Sequence, residues 1–362
     1  MLSSLARWFD QNILELGREL RWSYLPPLMV YMAAGISSLT GIVGAFFVKE
    51  YLGLSAVFLA TLGFWAGLPW ALKMPVGHLV DLLWRYKAAF VFLGAALIAA
   101  SLLVMLGLIS DPAGMRAVMP AERWYVVAAL LAPVGYMLQD TVADAMTVEA
   151  VPAIDEAGQP LDPERRRLMN TTVQTLGRVA IIGGGVLVSL VNAVLFQGVE
   201  TLSQTAKVAI YAKIYGLALV IPVVSVLGVV FAAVLKRRTR RRLAARGLAA
   251  QAIARLIDPP PEPVRPNAWI LGGSLAFVLL SLGLGTAQFD HAEEAIFLGS
   301  LTVIAFLMYR LLGELSAEAR RTLVGTAIII FVFRALPGPG AGSTWWMIDV
   351  LHFDQAFLAR LG

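Results

Sequence analysis

Asp140 and Asp144 stand four residues apart in PVGYMLQDTVADAMTVEA (133–150), inside a stretch otherwise apolar enough to span a bilayer. At that spacing both carboxylates project from one helical face. A charge at the centre of a membrane costs about 2.5–3.5 kcal/mol on insertion scales, so such groups face a bundle interior, a water-filled cavity or an opposite charge. Opposite charges are at hand. Lys73 lies eight residues before Asp81 at the end of the second apolar stretch, Asp140 nine before Glu149 at the end of the fourth, and Arg178 about eight into the fifth. At 1.5 Å per residue these three sit at similar depth, roughly 12 Å from one membrane edge. The pattern permits one buried cluster of Lys73, Asp140, Asp144 and Arg178, with Gln139 and Gln174 as hydrogen-bond partners; Gln174 and Arg178 share a face at i, i+4. Two chemistries fit. The cluster is either a closed ion-pair network that locks three helices, or part of a transport pathway in which a carboxylate exchanges a proton and a cation meets a negative solute. Two acids against two bases leave both readings open.

The elements that must position these residues are membrane helices. Hydrophobic residues make up 59% of the 362-residue chain and charged ones only 15%, against an apolar share of about 45–50% in soluble domains; the mean hydropathy is +0.75. An all-α polytopic membrane protein follows. A span needs about 20 mostly apolar residues, and nine stretches qualify: 28–48, 56–80, 88–109, 124–148, 173–196, 214–235, 268–287, 295–312, and a broken one over 322–349. Basic residues fall mainly on alternate connections: Arg7, Arg18 and Arg21; Arg85 and Lys87; Arg165, Arg166 and Arg167; the run from Lys236 to Arg242; Arg320 and Arg321. The positive-inside rule makes those connections, and the N-terminus, cytoplasmic. The net charge of +5 therefore sets orientation and implies no nucleic-acid partner. With no cysteine, and with His78, His291 and His352 in no metal or triad spacing, neither a metal site nor an enzyme is expected, and no cofactor is implied.

Residues 1–27 place Leu5, Trp8, Phe9, Ile13, Leu16 and Leu20 near helical spacing, the pattern of an amphipathic helix on the cytoplasmic membrane surface. Residues 236–267 read as a basic, proline-stiffened linker that either is solvated or lies on anionic headgroups. In the second stretch Pro69 and Pro75 flank Lys73 and remove backbone donors. In the first, GISSLTGIVG is a packing surface of small residues, with Tyr31, Ser38 and Thr40 as candidates to line a cavity. Gly183, Gly184 and Gly185 form a second such surface.

From Gly77 the chain reads G-x-x-x-D-x-x-x-R-x-K, through Asp81, Arg85 and Lys87, which resembles the loop between spans two and three of the major facilitator superfamily. Three further segments are similar to the folate-biopterin transporter family within it: PWALKMPVGHLVD (69–81), QDTVADAMTVEA (139–150) and TVQTLGRVAIIGGG (172–185). The resemblance implies alternating access between two six-helix halves. It assigns Asp140, Asp144 and Arg178 to the intramembrane charges and Gly77, Asp81, Arg85 and Lys87 to a cytoplasmic gate. It further implies a small anionic solute, folate- or pterin-like, carried with a proton across a bacterial inner membrane. On this reading 28–235 is the N-terminal half, 268–312 an inserted pair of helices and 322–362 the start of the C-terminal half, so that a second half, separately encoded or truncated away, is expected as partner. Arg334, before the break Pro337-Gly-Pro339-Gly, joins the solute-binding candidates. The competing expectation is a membrane assembly protein that keeps the half-bundle without transport.

Overall fold

The computed structural model describes residues 20–152, 161–257, 265–286, 290–313, 315–336 and 338–361. The surface helix expected over 1–27 therefore lies, up to residue 19, outside the described residues. The described residues are helical and contain no strand. Eight helices are long and apolar enough to cross a membrane: α1 (Trp22–Glu50), α2 (Ala56–Leu82), α3 (Trp84–Ser110), α4 (Ala121–Ala150), α5 (Pro163–Leu195), α6 (Gln204–Ala245), α7 (Ala268–Gly285) and α8 (Ala292–Arg310). Their exposed sides carry many large apolar side chains, such as Ile182, Leu190 and Val194 on α5. A helix that is apolar all round is satisfied by lipid on its outer face, and the chain is a multi-pass integral membrane protein.

The ninth expected stretch is broken, as its sequence implies, and is not among the eight spans. Residues 322–349 fall into two helices, α9 (Ala317–Arg334) and α10 (Gly340–Asp349), followed by α11 (Gln355–Leu361). With Glu318, Arg320, Arg321 and Arg334 among its 18 residues, α9 is too charged to count as a span. The basic run 236–242, expected in the linker, instead continues α6 as helix to Ala245. Lysine and arginine are good helix formers, and the first breaker is Gly247, which adopts a positive φ of 82°.

The described residues within Met1–Lys73, Leu83–Glu262 and Ala341–Gly362 form one compact unit, and those within Met74–Leu82 and Pro263–Gly340 a second. In the first, α3 packs along α4, α1 packs against α4, α5 and α6, and α2 leans on α4. Val43, Phe47, Ile98, Leu108, Tyr211 and Ile214 form its core, which α11 joins through Ala356 and Ala359. In the second unit α7 and α8 run antiparallel: Trp269 meets Phe306 with ring centroids 5.5 Å apart, and a Cβ on Gly273 or Gly299 would touch Leu307 or Leu280 respectively.

Helix breaks set the local geometry of the first unit. Pro75 has no N–H for the carbonyl one turn before it, and α2 breaks at Leu72, whose N–H turns to Pro69 O at 3.0 Å. Lys73 starts the next helical segment. Midway along α1 the chain tightens into a 3-10 turn over Ile36–Thr40, where the Ser37 hydroxyl donates to Ala34 O at 2.6 Å. There the backbones of α1 and α5 nearly touch: a Cβ on Gly184 would lie 2.9 Å from backbone atoms of Gly35 and Ile36. The flanking Gly183 and Gly185 face open space.

This contrast within one glycine run generates a prediction. Gly184→Val should lower the thermal unfolding midpoint by the equivalent of about 1–3 kcal/mol through overpacking. Gly183→Ala should hold or raise it, since glycine inside a helix costs roughly 0.5–1 kcal/mol relative to alanine. Equal effects at both positions in detergent melts would show that α1 and α5 do not meet there.

Candidate functional site

The break in α2 delivers the Lys73 ammonium to α4, where the two aspartates wait one turn apart. Its Nζ lies 2.5 Å from Asp140 Oδ2 and 2.8 Å from Asp144 Oδ2. From α1 the Tyr31 hydroxyl donates to the other oxygen of Asp144, Oδ1, at 2.5 Å. Hydrogen bonds with one ionised partner are about twice as strong as neutral ones, so Asp144 is gripped by two groups from two other helices. Tyr31 is itself buried, and its ring lies where α5 has no side chain: a Cβ on Gly177 would come within 2.7 Å of the ring. Gly177 thus makes room for the hydroxyl to reach Asp144.

A second tier holds α4 and α5 together beside the carboxylates. Gln174 Nε2 donates to Thr147 Oγ1 at 2.8 Å, and the Thr147 hydroxyl donates to the backbone carbonyl of Asp144 at 2.6 Å. Gln139, expected in the cluster, faces the other way. Its amide donates to Ser225 Oγ at 2.8 Å and to Val91 O at 3.3 Å, tying α4 to α6 and α3. Neighbouring helix positions point about 100° apart, so Asp140 and Gln139 address different neighbours.

Arg178 follows Gly177 on α5, and its side chain is exposed. Among the described residues it makes no ion pair with either aspartate or with any other acid. The balance expected from the sequence is therefore not realised by contact: two carboxylates share one ammonium, and the Arg178 guanidinium, close enough to act electrostatically on Tyr31, pairs with neither. The cluster is also open, with 43% of the Asp144 side chain and 36% of the Lys73 side chain accessible. A proton that neutralised one aspartate would bring the contacting group of Asp140, Asp144 and Lys73 from one net negative charge to zero. Arg334 ends α9 in the second unit, exposed and without an ion pair among the described residues.

Ion pairs also stand at both ends of the first unit. At the end where α3 begins and α4 finishes, Lys87 pairs with Glu149, Lys236 of α6 approaches Glu149 to 3.6 Å, and the Lys87 ammonium sits 3.6 Å above the Trp84 ring. Of the four residues expected at a gate, Lys87 takes part in these contacts. Arg85 lies 5.9 Å from the ring of Tyr86, Asp81 has no ion pair among the described residues, and Gly77 sits within the helical segment that Lys73 opens. At the far end Lys49 of α1 pairs with Asp349 of α10, and Gln355 of α11 donates to the Tyr211 hydroxyl at 2.7 Å.

Tyr31 carries a signal in the sequence, a hydroxyl in an apolar span; the parts of Thr147, Gly177 and Lys236 carry none, because each depends on which helix lies opposite. No protein-family model, curated protein or solved structure matches the chain.

Removing the shared cation tests the geometry. Lys73→Met leaves two carboxylates facing each other, and with both partly solvated the loss should be about 1–3 kcal/mol at neutral pH. The sign with pH is fixed: protonating either aspartate relieves the repulsion, so the deficit should shrink as pH falls through the carboxylate range. Adding Asp140→Asn to Lys73→Met should recover most of it at neutral pH. A Lys73→Met deficit that is independent of pH in thermal melts would mean that Lys73 acts by packing alone.

Proposed function

We propose that this chain belongs to a secondary active transporter of the major facilitator type, which moves a small anionic organic solute with a proton by alternating access. The observation that carries the reading is Lys73 shared between Asp140 and Asp144 on an open face, next to an Arg178 without a carboxylate partner. In the proposed cycle a proton taken by one aspartate loosens its hold on Lys73. The ammonium, then held by one carboxylate instead of two, turns with Arg178 to the negative groups of the solute. Release of the proton restores the pair and expels the solute. Intramembrane charges that only locked helices together would gain nothing from access to water, which supports a relay over a lock.

The likeness of 69–81, 139–150 and 172–185 to the folate-biopterin transporter family supplies the solute class, folate- or pterin-like. It also supplies the second six-helix half that the proposed central site needs, whether continuous with this chain or separate. The alternating basic connections support a cytoplasmic N-terminus and a bacterial inner membrane is the proposed location. On this reading the Glu149 contacts at one end and the Lys49–Asp349 pair at the other serve as the two closures, open in turn.

A second reading, a membrane assembly protein without transport, is favoured by α2, whose apolar window is only 6% buried and offers a long face to other helices. Uptake of labelled folate and biopterin into proteoliposomes containing the chain, alone and together with a C-terminal half, separates the two. Transport predicts accumulation that rises with an inward proton gradient. Asp140→Asn should remove the gradient dependence, and Arg178→Ala should raise KM by about tenfold, as expected for losing one charged hydrogen bond. Absence of accumulation in both preparations, with a stoichiometric partner retained on purification, would overturn transport in favour of assembly.

A further inference from the structure

The hairpin of α7 and α8 holds a cavity of about 300 Å³, lined by Met74, Asn267, Trp269, Ile270, Leu307, Met308, Arg310 and Gly313. All of these residues belong to the second unit, and none takes part in the carboxylate cluster. The lining has two characters. One side is apolar and adaptable, with Met74, Ile270, Leu307 and Met308; methionine fits irregular hydrocarbon well. The other presents donors of hydrogen bonds. Arg310 lies with its guanidinium 4.6 Å from the centroid of the Trp269 ring, and among the described residues it has no acid within 4 Å. A guanidinium stacked by its face on an aromatic ring keeps its edge N–H groups available for a phosphate.

Asn267 shapes the same wall. Its side-chain oxygen accepts from Trp269 N at 3.0 Å and from Ile270 N at 3.3 Å, capping α7, while its own N–H donates to His78 Nε2 at 3.0 Å. Trp269 N and Ile270 N are therefore taken, and Asn267, which lines the cavity together with Arg310, has its side-chain NH2 as a second donor.

Depth and charge indicate what fills it. Trp269 and Arg310 mark the ends of two antiparallel spans, the level at which headgroups lie. By sequence this end carries Arg265, Arg310, Arg320 and Arg321 against Glu314 and Glu318, a basic excess, whereas Asp290, Glu293 and Glu294 stand at the opposite end of the hairpin. We infer that this cavity is a binding site for an anionic phospholipid, with the headgroup phosphate on Arg310 and Asn267 and the start of an acyl chain along Met74, Leu307 and Met308. Basic pockets between membrane helices hold acidic headgroups in this way. Free phosphate would use Arg310 but leave the methionine-lined side in water, which is why the lipid is the better fit.

Native mass spectrometry of the full chain in detergent, titrated with dioleoyl phosphatidylglycerol, dioleoyl phosphatidylcholine and inorganic phosphate, tests the site. The phosphatidylglycerol adduct should be retained in preference to phosphatidylcholine and should resist millimolar inorganic phosphate. Arg310→Gln should weaken it about tenfold, the loss expected for a charged hydrogen bond, and Trp269→Ala should weaken it in the same direction. Arg320→Gln, a basic residue outside the cavity, should leave retention unchanged. Wild-type retention in Arg310→Gln, equal loss in Arg320→Gln, equal binding of the two lipids, or displacement by inorganic phosphate alone would each overturn the assignment. Arg310 is exposed and holds no core contact, so its substitution is not expected to unfold the chain.

Discussion

A lysine ammonium held between two carboxylates inside an apolar helix bundle is the constraint around which the first unit is arranged. None of these three charges is tolerable alone at that depth, and each reaches the others by a separate device. The break that Pro69 and Pro75 impose on α2 lets Lys73 open a new helical segment facing α4. The four-residue spacing on α4 puts Asp140 and Asp144 on the same side of the ammonium. Gly177 on α5 admits the Tyr31 ring, which gives Asp144 its second donor. On the far side of α4, Gln139 clamps the helix to α3 and α6 and so fixes how the aspartates are turned.

The cluster lies part-way along a unit whose two ends carry their own ion pairs, Glu149 with Lys87 and Lys236 at one and Lys49 with Asp349 at the other. The proposed alternating access would use these two sets of contacts as its closures. Tyr31 of α1 reaches Asp144 directly and Gln174 of α5 reaches it through Thr147 of α4 itself, so any movement of α1 or α5 against α4 alters the environment of one carboxylate more than the other. Asp140 contacts only Lys73 among the charged groups, whereas Asp144 also answers to Tyr31. This asymmetry gives the proposed relay two inequivalent proton acceptors.

What was legible in the sequence was what short-range pattern and length dictate. Apolar runs of about 20 residues gave the eight spans, and equal distance from the membrane edge brought Lys73 to Asp140 and Asp144 before any contact was known. Legibility failed where a helix had to be rotated or a partner chosen. Gln139 is adjacent to Asp140 yet addresses Ser225, because neighbouring positions on a helix diverge. Arg178 sits at the expected depth but makes no ion pair, since depth says nothing about azimuth. Hydropathy also could not show that the basic run after Leu235 stays helical. The pair of Lys49 and Asp349, 300 positions apart in sequence, is a product of tertiary packing alone.

Whether the carboxylates are a relay or a lock is decided most directly by watching them take a proton. Infrared difference spectra of the reconstituted chain, stepped from alkaline to acid pH while the fold is intact, report protonated carboxyl groups individually once each is substituted. The account predicts a carboxyl carbonyl band that appears on acidification and is lost in Asp140→Asn or in Asp144→Asn. If neither substitution removes any such band before the chain unfolds, Asp140 and Asp144 remain ionised against Lys73 throughout, and the cluster is a structural lock.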